Sequence, residues 1–156
     1  MNIFVLDLEP KKCAKYHCDK HVVKMILETA QLLCGAVWIS GQEAPYKLTH
    51  KNHPCAIWTR ESIWNWLWLY NLGMDLCEEY TKRYKKEHKT QSVIESLSSP
   101  NLPNIERTPF ALAMPNDCKI SYIYTNDSVA SYRKYYKKYK RDIAKWNYCE
   151  KPWWWD

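Results

Sequence analysis

Glycine is scarce: Gly35, Gly41 and Gly73 are the only three in 156 residues. That leaves few places for the left-handed backbone that tight hairpins favour, and it argues for helix over sheet. Also missing is any run near the roughly 18 consecutive apolar residues that a bilayer span needs, so no membrane partner is expected. The apolar stretch Ile3 to Leu6 is too short for a signal-peptide core. The seven cysteines (Cys13, Cys18, Cys34, Cys55, Cys77, Cys118 and Cys149) are odd in number, widely spread and without a CxxC pair. A reducing, cytoplasmic setting fits that usage. No internal repeat or low-complexity linker divides the chain.

What is present is a hydrophobic share of 46% in a length typical of one globular domain, so residues 1–156 are read as a single core. The formal charge of +6 is unevenly placed. Arg133, Lys134, Lys137, Lys138, Lys140, Arg141 and Lys145 crowd one late segment, which suits an anionic partner.

The spacing of apolar residues predicts a mainly α, compact helical bundle. Acids at Asp7 and Glu9 followed by Pro10 mark a helix start, and helical periodicity then runs to about Val37. Residues 39–52 have no period and form a loop ending in THKNHP, Thr49 to Pro54. Pro54 opens a second helix rich in Trp and Leu that reaches about Lys86, with Gly73 marking a bend. A short helix is expected over Thr90 to Leu97. Pro100, Pro103, Pro109 and Pro115 then impose a long irregular segment before the last helix. Asn126 or Asp127 caps that helix, in which Val129, Tyr132, Tyr136, Tyr139, Ile143 and Trp146 recur at helical spacing.

At about 100° per residue, His17, His21, Lys24, Glu28 and Gln31 share one arc of the first helix, with Lys20 at its margin. Apolar residues fill most other directions, so the stripe is expected to be buried or to line a cleft, where ionisable groups are paired or shifted. Clefts of that kind are candidate functional sites. Glu28 is the candidate acid or base, and Lys24 or Lys20 the candidate amine. The plainer reading is a solvent edge with an ordinary Lys24 to Glu28 pair.

His50 and His53 precede a helix start, where free amides favour an anion such as phosphate. With His17 and His21 they also suggest an alternative zinc site, although no carboxylate or thiolate completes the set. Otherwise no cofactor is expected. In the second helix Arg60, Glu61 and Asn65 interrupt an aromatic run, either to touch substrate or to pair within the fold. In YRKYYKKYKR, Arg133, Lys134, Lys137 and Lys138 can meet phosphates and Tyr135 can stack on a base; a solvated helix with a tyrosine core face explains the string equally well.

The strings YHCDKHVVKMILETAQLL, THKNHP, the Trp58 to Leu69 segment and YRKYY resemble those of small phage-type proteins. The layout also resembles the phage pyrimidine-dimer DNA glycosylases, the endonuclease V-like family. That resemblance implies a DNA partner, an N-terminal amine as nucleophile and a helix-borne glutamate, acting through an imine at the sugar. Asn2 is too bulky for removal of Met1 to be expected. If His17 matches the family's first-helix histidine, the glutamate position falls on Lys24, one turn before Glu28. The reading is a base-excising DNA glycosylase in the cytoplasm, extending to a viral protein in its host cell. The alternatives are a noncatalytic protein that sequesters a nucleotide or nucleic acid, and a zinc-dependent hydrolase.

Overall fold

A computed structural model describes residues 1–120 and 127–156. Its helices are α1 (Pro10–Tyr16), α2 (Asp19–Ile39), α3 (Pro54–Glu61), α4 (Ile63–Tyr84), α5 (Gln91–Glu95) and α6 (Asp127–Tyr139), with a 3-10 turn over Asn116–Cys118. Among the described residues there is no strand, in line with the expected helical bundle. α2 packs against α3, α4 and α5, and α1 packs against α4. By length and composition alone α2 could cross a bilayer, but most of its apolar surface faces these neighbours.

The first long helix expected from the sequence is two helices. His17 and Cys18 are extended (ψ 133° and 160°), which ends α1 and starts α2. The break is held from outside by Arg83, a fully buried side chain near the end of α4. Arg83 donates to the carbonyls of Lys15 (2.9 Å) and His17 (2.8 Å) and pairs with Asp19 (3.2 Å) and Glu79 (2.9 Å). The exposed carbonyls of a helix end are thereby satisfied by one guanidinium. Asp19 also accepts from the Asn147 amide at 2.7 Å, tying the C-terminal segment to the same corner. Arg83→Met leaves two buried carboxylates uncompensated. It is expected to cost about 3–5 kcal/mol in urea unfolding, far more than loss of a surface pair.

The second long helix is also divided. Ser62 is extended (φ −151°, ψ 144°), and its hydroxyl accepts from the Trp64 amide and donates to the Ile105 carbonyl. Gly73 does not bend α4, which runs through it unbroken. A Cβ there would lie 3.0 Å from Thr29 Cγ2 and 3.2 Å from Ile94 Cδ1, so the glycine permits close approach of α2 and α5. α6 ends at Tyr139, leaving Ile143 in the turn that follows and Trp146 in the irregular chain beyond it. The cap expected from Asn126 or Asp127 lies outside the described side chains.

The N-terminal segment sets where the chain end lies. Ile3, Phe4, Val5 and Leu6 are all buried, so the chain enters through the core instead of lying on it. Its backbone is satisfied by unlike partners: Cys13 Sγ donates to the Phe4 carbonyl (3.1 Å), and Arg133 Nε donates to that of Leu6 (2.9 Å).

Candidate active site at the N-terminal amine

Burying residues 3–6 draws Met1 to the middle of α2. The Met1 α-ammonium lies 3.3 Å from Glu28 Oε1; the Met1 side chain is 4% exposed and that of Glu28 12%. The other carboxylate oxygen, Oε2, is 3.7 Å from Lys24 Nζ, whose side chain is 68% exposed. Glu28 therefore stands between the amine of half-buried Met1 and a solvent-facing lysine amine. Such a carboxylate can hold a cation or take its proton. Lys20 is exposed, and Gln31 is half-buried further along α2.

His53 closes another side of this centre. It caps α3, with Nδ1 accepting from the Cys55 amide at 3.0 Å, which leaves Nε2 as the protonated nitrogen of the neutral ring. Burial lowers its pKa, as do the positive charges of the N-terminus and His50, while Glu28 opposes them. The amide expected from the sequence to be open to a phosphate is thus occupied by His53 itself. His50 is exposed, with positive φ (50°), and contacts Thr49 Oγ1 at 2.8 Å.

His17 and His21 are not on one helical stripe, because the α1 to α2 break separates them. Both are buried, at 1% and 3% exposure, instead of lining an open cleft. His17 Nδ1 meets the Cys13 carbonyl at 2.7 Å, and His21 Nδ1 meets the Tyr136 hydroxyl at 2.6 Å. His21 also stacks on Phe4, with ring centroids 4.4 Å apart. Burial is the first cause that lowers His17 to about 4 and His21 to about 3. Nearby cations add to it: Arg83 for His17, and His17, Lys140, Lys24 and Lys20 for His21.

These depressed values make stability pH-dependent in a definite sense. The unfolded chain protonates its histidines from about pH 6.5 downward, while the native rings stay neutral to about 4 and 3. The unfolded state binds more protons in that window, so stability is full above it and falls as pH drops. Urea unfolding between pH 7 and 4.5 should show a loss approaching about 1.4 kcal/mol per pH unit for each ring, reduced in His21→Gln. A flat profile would contradict the neutral, buried assignment.

Other sequence candidates fall elsewhere. Asn65 is fully buried and spent on structure: Nδ2 donates to the Trp58 carbonyl and Thr108 Oγ1, and Oδ1 accepts from the Thr108 amide. Arg60 donates to the Lys51 carbonyl, and Glu61 is exposed at the end of α3. Among the described residues no group of three or more His, Cys, Asp or Glu is placed to hold a metal ion, so His17, His21, His50 and His53 do not form the alternative zinc set. A cleft of about 510 Å³ between Trp64, Leu67, Trp68, Asn71, Glu106 and Arg107 shares no lining residue with the Met1 centre.

In α6 much of the basic string is engaged within the protein. Arg133 pairs with Asp7 and lies over the rings of Tyr16, Trp153 and Trp154. Lys137 pairs with Asp156 and Lys138 with Asp117. Lys134 is exposed, and Tyr135 stacks on Phe4 with Lys140 Nζ 5.1 Å above its ring.

Residues 1–92, more than half of the chain, match the family model described as pyrimidine dimer DNA glycosylase. The chain belongs to that family. The matched segment contains Met1, Lys24, Glu28 and His53, whereas α6 lies beyond it. No curated protein and no solved structure matches the chain. Family membership implies DNA as substrate or partner.

Residue types alone do not single out the Met1 amine, which has no side-chain signature; the family resemblance implied an N-terminal amine, and the fold brings that of Met1 to Glu28.

Proposed function

We propose that the chain is a pyrimidine dimer DNA glycosylase whose nucleophile is the α-amine of Met1, with Glu28 as its proton carrier. The observation that carries this reading is the 3.3 Å contact between the N-terminal amine and a glutamate whose side chain is only 12% exposed. Family membership supplies the substrate class. The interval that leads from His17 to Lys24 also leads from His21 to Glu28, so the family's histidine and glutamate pattern is met one turn later than a match at His17 would place it.

As a class, α-amino groups release their proton about 2.5 pH units below lysine side chains, which makes a chain terminus the better imine former at neutral pH. Lys24 and Lys20 face solvent, and they suit phosphate contact better than attack. Proton transfer across the ion pair frees the amine. Its nitrogen bonds to C1′ as the bond from C1′ to the base breaks, and that electron pair leaves with the base. The C1′ to O4′ pair then stays on O4′ as the sugar ring opens, leaving a protonated imine. Of the three protons on the starting ammonium, one remains on nitrogen, and Glu28 passes one to O4′ and one to the departing base.

The test is incubation with ultraviolet-irradiated duplex DNA in the presence of borohydride, which reduces an imine to a stable amine. A covalent adduct on the N-terminal peptide is the expected result, with undamaged duplex giving none. An adduct on a peptide containing Lys20 or Lys24 but not Met1 would overturn the assignment, as would neither adduct nor base release.

A further inference from the structure

Chain termini are poorly ordered unless something ties them down, and here the tie is the second residue. Asn2 Nδ2 donates to the Ala113 carbonyl at 2.9 Å. Its Oδ1 accepts from the Ile3 amide at 2.8 Å and from the Tyr132 hydroxyl at 2.9 Å, with Cys55 Sγ at 3.8 Å. Tyr132 is fully buried on α6. Its hydroxyl accepts from the Ala113 amide (3.2 Å) and lies 2.9 Å from the Ala111 carbonyl. Asn2 therefore touches α3, the irregular segment before α6, and α6 itself.

Once the Asn2 backbone is held, the amine of residue 1 is separated from it by one planar peptide unit and a single rotatable bond. The contact with Glu28 closes that last freedom. We propose that Asn2 and Tyr132 are positioning residues, which through their shared hydrogen bond hold the Met1 amine at Glu28. The inference rests on Met1 being the nucleophile, and it adds a role for the part of the fold beyond the family match. Tyr132, Ala111 and Ala113 all lie after residue 92. It also gives residue 2 two requirements at once: an amide that fits this cradle, and bulk enough that Met1 is kept.

The experiment uses borohydride trapping on a duplex carrying a single abasic site, which needs imine formation but no base removal. The full-length protein, Asn2→Leu and Tyr132→Phe are compared; leucine matches asparagine in shape and still retains Met1. Trapping rate at saturating duplex, half-saturating duplex concentration, the trapped peptide and thermal unfolding are all read.

Both variants are expected to trap at least about 10-fold more slowly, at a half-saturating concentration within about twofold of the unaltered protein. The double variant should be little worse than either single one, because one hydrogen bond is shared. If Asn2→Leu does not fold, Tyr132→Phe, which keeps the ring in place, decides. No adduct at Met1 in the unaltered protein overturns the nucleophile assignment and this proposal with it. An adduct at Met1 formed equally fast by folded variants overturns the positioning role alone.

Discussion

Glu28→Gln is expected to remove about 10²–10⁴-fold of base release from irradiated duplex while leaving the fold and DNA affinity nearly intact. Glutamine keeps the shape and one acceptor oxygen near the Met1 amine, but it cannot take the ammonium's proton or return one to O4′. The ion pair it removes is made by a Glu28 side chain only 12% exposed, so a modest change in thermal stability accompanies the loss. Lys24→Met tests the other contact. The Lys24 side chain is 68% exposed and meets the far oxygen at 3.7 Å, so its loss should act mainly on DNA binding and its salt dependence. Full activity in Glu28→Gln would end the proton-carrier assignment, and a Lys24→Met effect larger than that of Glu28→Gln would move the chemistry to the lysine.

One residue added ahead of Met1 should be nearly as damaging. The added residue moves the free amine by about 3.8 Å along the chain, past Glu28 and away from the place where C1′ must sit. Misplacement by about 1 Å can already cost 10²-fold, so trapping on irradiated duplex should fall by at least about 10³-fold. Asn2→Ala makes the complementary error: a small second residue allows Met1 to be removed, which shortens the chain and withdraws the amine. Unchanged trapping in the extended protein would show that a side-chain amine is the nucleophile.

Much of the architecture is legible in the amino-acid order. Few glycines, helical spacing of apolar residues and clustered prolines between 100 and 115 point to the helical class and to the long irregular segment before α6. The two long helices that periodicity predicts are each too long, and for the same reason. The breaks at His17–Cys18 and at Ser62 have no local breaker residue. Each is held by a partner far along the chain, Arg83 in one case and the Ile105 carbonyl in the other. Periodicity reports which face is apolar, not whether a distant donor has ended the helix.

The same distinction runs through the site. Glu28 and Lys24 can be picked out because neighbours on one helix turn are a local property of the sequence. His17, His21 and Asn65 are buried within the fold, and residue type cannot show that Cys13, Tyr136 and Thr108 already bond to His17 Nδ1, His21 Nδ1 and Asn65 Nδ2.

By itself, then, the sequence determined a mainly helical domain and a glutamate and lysine one turn apart on α2. Tertiary structure decided that the chain-terminal amine meets that glutamate beside Lys24. A buried run at residues 3–6 carries the chain end through the core, and Asn2 is gripped by groups that lie up to 130 residues away. Such a juxtaposition depends on long-range packing, which no local pattern encodes.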